Sequence, residues 1–147
     1  MEKMKIELEK NTAYQSQYII TRDDDSTEKI NLETKTYFIH DMCHYVVERK
    51  LNYEKGFWGM LAKGYKFEQL FGKENSLTEE LRAVEQIVGP IQSVYMGHFK
   101  KEQINMLTNY LDVKISDDIL DECLDEIKTL VDQWEQLPIG DRIELEF

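Results

Sequence analysis

The sequence predicts a single α+β domain over residues 1–147, in which a small antiparallel sheet, built from the N-terminal strands and the C-terminal tail, packs against four or five helices. Three observations predict it. Apolar and polar residues alternate near both ends, with Met4, Ile6 and Leu8 at one and Ile143, Leu145 and Phe147 at the other. From about Phe38 to Trp134 the apolar residues recur at helical spacing instead. A chain of 147 residues, 41% apolar and 11% aromatic, can bury one core without disulfides or a structural metal.

Met4, Ile6 and Leu8 mark a first strand, and Tyr18 and Ile20 a second after the polar break at Asn11 and Thr12. Asp23, Asp24, Asp25 and Ser26 are turn residues, because short polar side chains bond to their own backbone; Ile30 and Leu32 then form a third, antiparallel strand. The acidic triple lacks the glycine and closing glutamate of a calcium loop. Met42, Tyr45 and Val46 share a helical face, and Leu51-Asn52-Tyr53 ends that helix before a second one carrying Phe57, Trp58, Met60 and Leu61. Gly56, Gly59 and Gly64 are unfavourable inside helices, so a close backbone approach is expected there, through tight packing or a ligand. Ser76 and Glu79 form a capping box ahead of the row Leu77, Leu81, Val84, Ile87, Ile91 and Val94, which Pro90 should kink. Gly97 and His98 break the pattern. Phe99, Leu107, Tyr110 and Leu111 suggest a short helix, and Ser116 caps a last one running through Leu120, Cys123, Ile127, Val131 and Trp134 until Pro138 and Gly140.

Acidic residues outnumber basic ones 29 to 18, giving a net charge of −11. Such a field repels phosphate backbones and anionic membranes, so nucleic acid and membrane are excluded as expected partners, leaving a small molecule or another protein. No stretch reaches the roughly 18 apolar residues of a membrane helix, and Met1 to Asn11 has no signal-peptide core. The expectation is a cytoplasmic protein. Cys43 and Cys123 lack metal-type spacing and are expected as reduced core thiols.

Chemistry is concentrated in His40, Asp41, His44 and Glu48, which spell H-D-x-x-H-x-x-x-E. On a helix, residues four apart lie about 40° from each other, so His40, His44 and Glu48 form one polar row opposite Met42, Tyr45 and Val46. Val47 and Cys43 flank that row, so the helix is either buried all round or lines a cavity, and the polar row needs partners. Histidines at i and i+4 can share a divalent metal such as zinc, as in the H-E-x-x-H helix of zinc peptidases, with Asp41 standing where that motif has its catalytic base. Glu48, about 12 Å along the axis from His40, would orient His44, and His98 is the candidate third ligand. An open coordination position would then activate water for hydrolysis. If instead the helix begins with Asp41 as its N-cap, His40 falls outside it and His44 becomes a core histidine bonded to Glu48 or a carbonyl. A metal site, a metal-free pocket and a purely structural cluster all remain open. So does a non-enzymatic interaction module that uses its acidic surface or an exposed Phe57-Trp58 segment.

His40, Asp41, His44, Tyr45, Val47 and Glu48, followed by Gly56, Phe57, Gly59, Ala62 and Gly64, give H-D-x-x-H-Y-x-V-E and G-F-x-G-x-x-A-x-G. This block resembles one shared by a family of small uncharacterised bacterial proteins, in which it follows two or three short strands. The match covers about Phe38 to Tyr65, with weaker likeness near Arg22 to Asp25 and Pro138 to Phe147. Ile39, Met42 and Cys43 depart from the pattern at packing positions and leave the polar set intact. The resemblance implies that the block is the family's common feature; it carries no activity, cofactor or catalytic role.

Overall fold

The computed structural model describes residues 3–71, 79–108 and 114–147. Alternation at the N-terminus produces three strands, β1 (Met4–Lys10), β2 (Gln15–Arg22) and β3 (Thr27–Glu33), and the tail adds β4 (Arg142–Glu146). The strand order is β3-β2-β1-β4, antiparallel throughout. Ile6 pairs with Ile20 and Leu145, and Leu8 with Tyr18 and Ile143, so period two places all of these on one face. At the β2–β3 turn, Asp24 Oδ1 accepts from the Ser26 amide at 2.9 Å while Asp25 takes a left-handed φ of 68°. Before β4, Gly140 supplies a φ of 96°, the stop expected from its sequence.

Among the described residues there are six α-helices, packed in layers over the apolar face: α1 (Thr34–Lys50), α2 (Phe57–Ala62), α3 (Phe67–Phe71), α4 (Glu79–Tyr95), α5 (Ile104–Leu107) and α6 (Asp117–Gln136). The count exceeds the expected four or five because the segments around Phe67 and Ile104 each make about one turn of their own. Ser116 caps α6, its Oγ accepting from the Ile119 amide at 3.2 Å, and Lys10 Nζ donates to the Trp134 and Leu137 carbonyls at the other end, fastening α6 to β1. Ser76, Leu77, Tyr110 and Leu111 lie outside the described residues. Among the described residues, no helix is long and apolar enough to cross a membrane.

α1 is the central element and packs against α2, α4 and α6. It is buried nearly all round: Met42, Cys43, Val46 and Val47 are inaccessible, and Asp41, His44 and Glu48 are buried with them. Both cysteines are free and buried, and burial pushes Cys43 up to about 12 and Cys123 up to about 11, leaving unreactive thiols. Phe57 and Trp58 are 7% and 0% exposed, which removes them as an interaction surface. The Trp58 indole is instead held by an Nε1–H bond of 3.0 Å to the Asp41 carbonyl. Arg22 ties the hairpin to the end of α2, donating to the Leu61 carbonyl (2.6 Å), the Tyr65 carbonyl (2.8 Å) and the Glu28 carboxylate.

Candidate functional site

α1 begins at Thr34, directly after β3, so Asp41 is not an N-cap and His40 lies well inside the helix. One helical turn therefore brings His40 and His44 together, their ring centroids 4.8 Å apart and nearly perpendicular. Each ring is fixed through Nδ1. His40 Nδ1–H donates to Gln92 Oε1 on α4 at 2.7 Å, and His44 Nδ1–H donates to Glu48 Oε2 at 2.9 Å. The remaining nitrogens turn to the same carboxylate on α4: His44 Nε2 lies 3.0 Å from Glu85 Oε1 and His40 Nε2 lies 3.7 Å from Glu85 Oε2. Among the described residues, His40, His44 and Glu85 are the group with a metal-ligating geometry, each offering one ligand atom within 4.8 Å of the others.

Glu48 holds this corner together. Its carboxylate accepts from the amides of Phe57 (2.8 Å), Trp58 (2.9 Å) and Gly59 (3.1 Å), capping α2 with a side chain from α1. Gly56 and Gly59 are explained by the chain's own close approach. A Cβ on Gly56 would stand 2.3 Å from Glu48 Cδ, and one on Gly59 would stand 2.2 Å from the Glu54 carbonyl oxygen. Gly64 differs: it needs its left-handed φ of 109° rather than space.

The electrostatics follow from this enclosure. Burial disfavours charge on His44, yet its bonds to Glu48 and Glu85 outweigh that and raise it to about 9. Burial raises Glu85 as well, but its hydrogen bond to His44 brings it below the usual carboxylate value. His44 is thus an imidazolium shared by two carboxylates, with Glu85 and His40 about 42% and 35% exposed at the outer side.

Two of the predicted site residues lie elsewhere. Asp41 faces the core: it is 2% exposed, and its Oδ2 accepts from the Tyr18 hydroxyl at 2.8 Å. Burial drives it up to about 7 against the pull of that bond and of His44. It cannot reach a solvent water as a base because strand β2 and Trp58 enclose it. His98 is exposed in the turn after α4 and does not belong to the His40–His44–Glu85 group. Sequence reasoning missed Glu85 and Gln92. Their signal was present in α4, where Leu81, Glu85, Val88 and Gln92 form one row that alternates apolar and polar on the buried side.

A cleft of about 690 Å³ opens on the opposite side of Glu48, and none of His40, His44 or Glu85 lines it. The chain matches no protein-family description, no curated protein and no solved structure.

Proposed function

We propose that the chain is a cytoplasmic protein with a divalent-metal centre at His40 Nε2, His44 Nε2 and a Glu85 oxygen, and that this centre serves metal-dependent hydrolysis. The observation that carries the reading is the shared aim of the two Nε2 atoms, each ring being pinned at Nδ1 by a separate partner, Gln92 for His40 and Glu48 for His44. Outer hydrogen bonds of this kind set the tautomer a metal needs and raise the basicity of the ligand. Bonds of about 2.0–2.1 Å would need ligand atoms about 3.3 Å apart, so a pair at the group's 4.8 Å limit has to close by about 1.5 Å. The half-buried side chains of His40 and Glu85 have room to close on buried His44, with His40 pivoting about its bond to Gln92. Two imidazoles and one carboxylate suit zinc or iron(II) and leave positions for water, whose pKa zinc lowers to about 7. With Asp41 enclosed, ionisation of that water would fall to the metal itself. Reduced, buried Cys43 and Cys123 support the compartment.

A second reading is favoured by the imidazolium. His44 with both nitrogens on carboxylates is already satisfied, and the cluster then acts only as a buried ion group joining α1, α2 and α4. Metal analysis separates the two. Protein purified without a histidine tag, after supplementation with zinc, manganese or iron, should carry one equivalent of metal, and His44→Ala and Glu85→Gln less than a tenth of it. Wild-type protein without stoichiometric metal leaves the ion group as the site's role and removes hydrolysis.

A further inference from the structure

We propose, resting on the metal reading above, that Gly89 is a notch through which the substrate reaches the centre, and that the substrate is an acyl compound with a bulky substituent beside its carbonyl. Gly89 lies inside α4, and glycine is, after proline, the residue least favourable in a helix interior. Its backbone is not in the left-handed region, and a Cβ built on it would meet no heavy atom within 4 Å among the described residues. Neither conformation nor close packing therefore calls for a glycine, in contrast to Gly56 and Gly59. Pro90 gives one local reason, because a Cβ on the residue before a proline crowds its ring in helical backbone. The placement of Gly89 gives another.

His40 straddles two turns of α4. Its Nδ1 meets Gln92 at 2.7 Å and its Nε2 lies 3.7 Å from Glu85, and Gly89 stands between those two partners, one turn from each. At about 100° per residue, Gly89 is turned about 40° from Glu85 in one direction and Val88 about 60° in the other. Val88 is fully buried and Gly89 partly exposed, so the valine marks the core flank of the row and the glycine its solvent flank. His44, Leu81 and Val88 are all buried, which leaves the solvent flank as the way in to the two Nε2 atoms. With a metal held by His40, His44 and Glu85, a group bound at an open position would carry its substituent over the missing side chain of residue 89. A neutral carbonyl suits that position better than a phosphate, because a chain of net charge −11 repels anions.

The test uses the full chain loaded with cobalt(II), whose visible spectrum reports a ligand entering the open positions, and two probes with the same chelating group, acetohydroxamate and benzohydroxamate. Wild-type protein should bind benzohydroxamate about fivefold more tightly than acetohydroxamate, because only the larger probe fills the notch. Gly89→Leu should keep one equivalent of cobalt, weaken benzohydroxamate about tenfold and leave acetohydroxamate within about twofold. Gly89→Ala, the milder change if leucine unsettles the helix, should weaken benzohydroxamate about threefold. Gln86→Leu adds bulk at an exposed position elsewhere on α4, and Pro90→Ala removes the crowding by the ring; both should match wild type. Equal losses of the two probes in Gly89→Leu would mean that leucine disturbs the centre itself, and overturn the proposal. So would a wild type without preference, or Gly89 variants that match it, which would leave Pro90 as the reason for the glycine. Protein that takes up no cobalt overturns the metal reading and this inference with it, and its missing visible spectrum tells that failure apart from the others.

Discussion

Gly56→Ala tests the account of the site at its most constrained point. Gly56 has φ −81° and ψ −160°, which alanine adopts without strain, so on backbone grounds alone the change should stabilise by about 0.4–1 kcal/mol. The new methyl, however, would lie 2.3 Å from Glu48 Cδ and 2.6 Å from both carboxylate oxygens. Ordinary carbon contacts are about 3.5–4.0 Å, so the carboxylate must retreat by more than about 1 Å. Its bonds to Phe57, Trp58 and His44 are 2.8, 2.9 and 2.9 Å, and a retreat of that size takes at least two of them out of range. Hydrogen bonds to a charged group are worth about 1.5–3 kcal/mol each, giving a loss of about 3–6 and a net destabilisation of about 2–5 kcal/mol. Urea unfolding measures this directly, and a thermal scan should show a fall of about 10 °C. The cycle with Glu48→Ala isolates the cause: once the carboxylate is gone the methyl has room, and Gly56→Ala should become neutral or slightly stabilising in that background. A Gly56→Ala protein within about 0.5 kcal/mol of wild type would refute the claim that Glu48 is locked between α1 and α2.

Three further outcomes follow from the same geometry. His44, raised from 6.5 to about 9 by Glu48 and Glu85 against the opposing effect of burial, contributes stability that is fully present below about pH 6.5 and is lost as pH rises through about 9. At about 1.4 kcal/mol per unit this amounts to about 3 kcal/mol, so the urea midpoint should fall between pH 6.5 and 9.5, and His44→Gln should flatten that decline. Asp41, raised by burial from 3.8 to about 7, keeps its proton longer when folded, which makes stability fall from about pH 4 to 7; Asp41→Asn should remove that slope, and Tyr18→Phe should cost about 1.5–3 kcal/mol at pH 8 by stripping a donor from the buried carboxylate. Because a metal must displace the His44 proton, zinc affinity measured by competition with a chromophoric chelator should rise about tenfold per pH unit between pH 6.5 and 8.5, and a flat profile there contradicts His44 as a ligand.

The strands and their order of appearance were readable because period two needs only local alternation, and all four coincide with the alternating runs around Ile6, Tyr18, Ile30 and Leu145. The start of α1 was not. Glu33 passes to Thr34 with no turn residue and no side-chain cap, and Asp41, a good cap by type, is drawn into the core by Tyr18 from a strand more than twenty residues earlier. The histidine pair was legible from its spacing. Its third partner was not, since Glu85 approaches from another helix and only the polar interruptions at Glu85 and Gln92 mark α4 as facing something charged. Gly56 and Gly59 announced a close approach, yet only the folded chain identifies what approaches: a carboxylate in one case and the Glu54 backbone in the other.

The carboxylate that grips both α2 and an imidazole imposes a fixed length on the connection between them. Surface loops ordinarily absorb an extra residue with little effect. The segment from Leu51 to Lys55 has no such tolerance, because one inserted residue would slide the Phe57, Trp58 and Gly59 amides off Glu48 and leave the His44 ring free to turn. Fixing of the His44 ring and docking of α2 are therefore a single event.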